Sequence, residues 1–139
     1  MGRKINLWWL VAGILALFGA VGHAAYGHSS YLVQIEAAAL WHASFIFVHQ
    51  TTWFMLLSGV LLVFAALSGR QGRFFWAVVF IAAVFGGNFL FFLVSSLLNY
   101  PAALGADLAP QLVFFLAYEG CLIMGGVRTL RQAHLQDMG

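Results

Sequence analysis

The sequence predicts an all-α integral membrane protein, an up-down bundle of four transmembrane helices with both termini cytoplasmic (N-in/C-in). Three observations carry this. Of 139 residues, 63% are hydrophobic and 7% are charged, against roughly 45–50% apolar and about 25% charged in a soluble domain. A single core of this length could not hide that much apolar surface from water, and the composition equally excludes a disordered chain. The apolar residues also fall into four blocks, each near the ~20 residues that cross the hydrocarbon of a bilayer as a helix. Finally, all six cations fall on one side of the membrane once the blocks are threaded through it alternately.

The first block is Leu7 to about Tyr26, preceded by Arg3 and Lys4. Met1–Asn6, the apolar run Leu7–Val21 and Gly22-His23-Ala24 also have the layout of a signal peptide. Retaining the helix keeps an even, antiparallel set with the charge pattern intact. The second block lies within Ala37–Leu67. As one helix it would extend about 46 Å, so it should tilt or project at its Ala37 end. The third runs from Phe74 to about Leu98, after Arg70 and Arg73. The fourth runs from Gln111 to about Val127 and is followed by Arg128 and Arg131. The connections 27–36, 68–73 and 99–110 are short, which implies antiparallel neighbours.

By the positive-inside rule the six cations mark the cytoplasmic face, and a bacterial cytoplasmic membrane is the expected location. Tyr26, Tyr31, Trp41 and Tyr100 then cluster at the outer interface, and Trp8, Trp9 and Trp76 at the inner one, as aromatic belts do. The whole chain, 1–139, reads as a single transmembrane domain with no soluble domain appended. Cations placed two by two at three points are a topology signal, not a nucleic-acid patch. The single Cys121 forms no intrachain disulfide or CxxC motif. There is no hydrolase elbow and no HExxH.

Polar side chains in a span are costly unless paired or facing a cavity, so their positions are informative. Counting from the outer helix ends at about 1.5 Å per residue, His23 and His42 form a shallow layer. His49, Asn88 and Glu119 form a deeper one near the midplane. His42 and His49, seven residues apart, share a helix face. Gln111 and Glu119, eight apart, can line one cavity. The expectation is a polar pocket in the outer half, built from His49, Glu119, Asn88, Gln50 and Gln111. Imidazole binds metals and haem, so His23, His42, His49 and Glu119 are candidate metal ligands, beside the plainer reading that each makes a helix–helix hydrogen bond. The absence of CxxCH excludes a covalent c-type haem, and a b-type haem is the candidate. His42 and the Gln50-Thr51-Thr52 run would suit a quinone, beside ordinary helix back-bonding by the threonines. Glu119 is the sharpest candidate, because a carboxylate near the midplane is expensive and often marks a proton, ion or ligand site.

Small residues mark close packing. Ala12, Ala16, Ala20 and Ala24 make one ridge. Ala117, Cys121 and Gly125 make another, about 160–200° from Glu119 at about 100° per residue. With Glu119 facing inward, that ridge should face lipid or another subunit.

Three functions follow in order of preference. The first is an accessory or assembly subunit of a larger membrane complex, in contact with the lipid bilayer and with other membrane subunits or a second copy. The alternative is a redox or binding module holding a metal ion, b-type haem or quinone. The second alternative is a small proton- or cation-coupled transporter using Glu119 and His49. No catalytic activity of its own is expected.

Overall fold

A computed structural model describes residues 5–26, 38–99 and 109–137. The described residues form helices α1 (Leu7–Tyr26), α2 (Ala38–Leu67), α3 (Phe75–Asn99) and α4 (Ala109–Asp137), with a 3-10 turn at Gln71–Phe74. All four are long and apolar enough to cross a membrane. Their outward faces carry large apolar side chains: Trp76, Phe91 and Leu98 are each 77% exposed. Exposed apolar surface on this scale is tolerated in lipid, not in water.

The helices match the apolar blocks closely except at two ends. Residues expected as plain loop before α3 wind into the 3-10 turn. Helix α4 continues ten residues beyond the expected end at Val127. Apolarity stops there, but Arg128–Asp137 contains no Gly or Pro and is rich in Arg, Leu, Gln and Ala, all favourable in helices. The end of an apolar block therefore marks where α4 leaves the apolar zone, not where it stops.

Small residues set the packing. Along α1, Ala12 and Ala16 are fully buried and Ala20 nearly so. A Cβ on Gly13 would lie 3.0 Å from the Gly59 carbonyl oxygen, and one on Gly59 3.0 Å from that of Gly13, so α1 and α2 touch backbone to backbone. Contacts step down α2 as they step up α1: Asn6 meets Ala66, Gly13 meets Val63, Leu17 meets Gly59 and His23 meets Thr52. Helix α1 also packs on α4, where Trp9 meets Leu122 and Gly125, and Gly19 lies against Phe114. Helix α4 in turn packs on α3 through Phe75–Gly126, Phe85–Tyr118 and Phe89–Phe115. Helices α2 and α3 meet through the ring pair Phe54–Phe85 at 5.2 Å, and Phe64 of α2 meets Phe74 of the 3-10 turn at 5.6 Å.

Two expectations are corrected here. The Ala117–Cys121–Gly125 ridge does not face away from the bundle. Cys121 and Gly125 are buried and only Ala117 is exposed. Gly125 leaves the space that the Trp9 indole fills. Helix α4 has two covered faces: α1 covers the Cys121–Gly125 side and α3 the Glu119 side. Trp9 is likewise not a belt residue: it is fully buried, because the gap opposite Gly125 admits the ring and Leu122 O accepts its Nε1–H at 3.4 Å.

Candidate functional site

Helix α4 places Glu119 against α3, facing Gly86. A Cβ added there would stand 3.8 Å from the Glu119 carboxyl carbon, an ordinary van der Waals contact, so the carboxyl group lies directly beside the α3 backbone. Glu119 is half-buried, and its Oε1 is buried with no hydrogen-bond partner among the described residues. The neighbouring Tyr118 is fully buried between Phe85 and Phe114, with ring centroids at 4.8 and 6.2 Å. Its hydroxyl also lacks a partner among the described residues. Buried polar atoms without partners cost about 1–3 kcal/mol each, and in native proteins each asks for an explanation. Because Oε1 has no hydrogen bond to lose among the described residues, Glu119→Gln is expected to leave the bundle folded, with stability changed by less than about 1 kcal/mol. Chemical unfolding in detergent, followed by helical circular dichroism, checks this; a larger loss would make Glu119 a structural carboxylate.

His23 has its own partner. Thr52 has a single hydroxyl proton and donates it to Val48 O at 2.9 Å. The 3.0 Å contact between His23 Nδ1 and Thr52 Oγ1 therefore has Nδ1–H donating to the hydroxyl oxygen, which assigns the tautomer. This joins α1 to α2. His49 is half-buried and stands edge-on to Phe45, with ring centroids 4.1 Å apart. His42, Gln50, Asn88 and Gln111 are exposed.

The residues expected to line one pocket are thus not all turned inward: Glu119 faces α3, while Gln50, Asn88 and Gln111 are exposed. The metal set His23, His42, His49 and Glu119 is not drawn together either; among the described residues no group of three or more His, Cys, Asp or Glu side chains is placed to hold a metal ion. Counting residues from a helix end gave depth but not direction. His23 and Glu119 project toward different neighbours, α2 and α3.

The opposite end of the bundle holds a buried polar knot that the sequence reading passed over. Asn6 Oδ1 accepts the Trp9 backbone N–H at 3.3 Å, and Asn6 Nδ2 donates to Gly125 O at 3.0 Å and Thr129 Oγ1 at 3.2 Å. Thr129 also donates to Gly125 O at 2.9 Å. The Asn6 backbone N–H donates to Ala66 O at 3.1 Å, and Gln71 Nε2 reaches the same carbonyl at 3.4 Å. The available signal was local: an Asn immediately before an apolar helical run is a favoured N-cap. Nothing local pointed to Thr129 as its partner, 123 residues away.

Two clefts lie on this half of the molecule. One, between α3 and α4, is apolar and includes Trp9, Phe75, Leu122 and Leu130. The other is at the turn between α2 and α3 and is lined by Phe64, Ser68, Arg70, Arg73 and Phe74. No protein-family model matches the chain, and neither a curated protein nor a solved structure matches it.

Proposed function

We propose that the chain is an up-down four-helix integral membrane bundle with both termini cytoplasmic, seated in a bacterial cytoplasmic membrane, and that it serves as an accessory or assembly subunit of a larger membrane complex. The alternating register of contacts between consecutive helices supports the threading, and the grouping of the six cations supports the orientation. One observation carries the subunit reading. Gln50 and Asn88 lie within candidate spans and are exposed. Gln50 is one turn before Phe54 and Asn88 almost one turn after Phe85, and these two rings meet. Since contacts step in opposite directions along α2 and α3, the two amides stand at one depth on adjacent helices. An amide facing lipid is costly, whereas Asn and Gln hydrogen-bond readily across transmembrane helices.

The test is mild-detergent purification of the full chain beside the variant Gln50→Leu/Asn88→Leu, with copurifying subunits identified and oligomeric state measured. Interhelical hydrogen bonds in membranes contribute about 0.6 kcal/mol on average and up to about 1.7, so the double change is expected to weaken association roughly tenfold while leaving the bundle folded. A wild-type chain with neither partner nor second copy would sink the reading, as would undiminished association of the variant.

A second reading is favoured by Glu119 Oε1, buried with no hydrogen-bond partner among the described residues: a proton or cation relay. Glu119-dependent uptake into vesicles, lost in Glu119→Gln, tests it. The metal, haem or quinone module rests on histidines that the described residues do not bring into one ligand set. An absorption spectrum and metal analysis of the same preparation decide it.

A further inference from the structure

We propose that the cleft at the α2–α3 turn is a binding site for the headgroup of an anionic glycerophospholipid; this rests on the reading that α2 and α3 cross a membrane. The cleft is about 380 Å³ and is lined by Phe64, Ser68, Arg70, Arg73 and Phe74. The turn is built so that both arginines stay outside. Gly69 takes φ 71°, the left-handed conformation that favours glycine. Gln71 is buried and donates to Ala66 O at 3.4 Å. Ser68 donates to Ala65 O at 2.9 Å and accepts the Arg70 backbone N–H at 3.1 Å, and the Arg73 N–H donates to Arg70 O at 3.1 Å. The backbone amides of Arg70 and Arg73 are thus engaged within the turn, while their side chains remain exposed. Among the described residues neither guanidinium has a carboxylate partner. Two guanidinium groups on one rim suit a phosphate, which arginine binds through paired N–H donors.

The other wall identifies the ligand as a lipid rather than a free anion. Phe64 packs edge-on against Phe74 with ring centroids 5.6 Å apart. It is 60% exposed and belongs to the candidate span Phe45–Leu67, so its free face lies where acyl chains run. The cleft therefore presents cations at the membrane surface and an apolar wall continuing into the span, which is the layout of an amphiphile. Basic sites at the membrane surface attract anionic lipid headgroups.

Native mass spectrometry of the full chain in neutral detergent, titrated with phosphatidylglycerol or phosphatidylcholine, tests the site. Tighter binding of phosphatidylglycerol is expected. Arg70→Gln/Arg73→Gln should weaken it at least about tenfold, and Arg128→Gln/Arg131→Gln, which removes the same charge elsewhere, by less than about threefold. Arg73→Gln alone should give an intermediate loss and keeps the test open should the double variant lose its helical signal. Equal binding of the two lipids would overturn the proposal. Equal losses in the two double variants would overturn it as bulk attraction. Displacement of phosphatidylglycerol by inorganic phosphate as readily as by its short-chain analogue would overturn it in favour of a free-anion site. Carbonate extraction of membranes separates the two levels of failure: a chain released by carbonate refutes the membrane reading, and a retained chain without lipid preference refutes only the site.

Discussion

Gly125→Ala is expected to destabilise the bundle by about 3 kcal/mol, the upper part of the usual range for overpacking. A Cβ at this position would overlap Cδ1 and Nε1 of the Trp9 indole. The ring is rigid and fully buried, and its N–H is held by Leu122 O, so it has little room to retreat. The sign is the informative part. Ala exceeds Gly in helix propensity by about 1 kcal/mol, so wherever space is open the same change stabilises. Gly120 on the same helix is exposed and has nothing within 4 Å of its added Cβ. Gly120→Ala is therefore expected to be neutral or stabilising by up to about 1 kcal/mol. Unfolding midpoints in mixed detergent, followed by helical circular dichroism, give both numbers. Trp9→Leu should recover much of the Gly125→Ala loss when the two are combined, with a coupling above about 1 kcal/mol. An unchanged midpoint for Gly125→Ala would mean that α1 and α4 do not approach as closely as the structure places them.

Asn6→Ala is expected to cost about 2–4 kcal/mol. It removes an N-cap, for which substitution by Ala costs about 1 kcal/mol, and strips a buried site of its polar partner, with a further loss of about 1–3 kcal/mol. Asn6 is 2% exposed and serves three groups at once: Trp9 N–H, Gly125 O and Thr129 Oγ1. Asn6→Asp separates these roles. It keeps the accepting oxygen for Trp9 but replaces the donor facing Gly125 O and Thr129 with a second acceptor. It should be at least as damaging as Ala, although Asp caps helices as well as Asn does. Thr129→Val should cost less, because Gly125 O retains the Asn6 amide. Equilibrium unfolding of the three variants checks the order. If Asn6→Asp matches wild type, the amide is a simple cap and the cross-bundle bonds contribute nothing. Asn6 and Gly125 share a hydrogen bond, so their losses are not expected to add.

The helices were legible in the chain because each depends on a short, local property. Twenty apolar residues must satisfy their backbone polar groups internally if they enter lipid, and a helix does so within one segment. Leu7–Tyr26 is recovered at both ends, with Asn6 waiting before it as a cap. The overrun of α4 to Asp137 shows the limit of that logic, since hydropathy reports the solvent around a helix rather than its length.

Direction was a different matter. The sequence alone could set Glu119 at a depth and the Cys121–Gly125 ridge at an angle from it, but it could not say which neighbour would meet either face. In a bilayer there is no water to mark an outside, and lipid and protein interior are almost equally apolar. An apolar stripe therefore does not announce its partner as it would in a soluble bundle. What the sequence determined was membrane class, the four apolar helices and the scarcity that singles out Glu119. Tertiary structure decided that Trp9 enters the gap at Gly125, that His23 is joined to Thr52, that Asn6 reaches Thr129 across the bundle, and that Arg70 and Arg73 share one cleft. Each of these is a fit between shapes or a hydrogen bond made by residues on different helices, and such pairs exist only once the helices have found their neighbours.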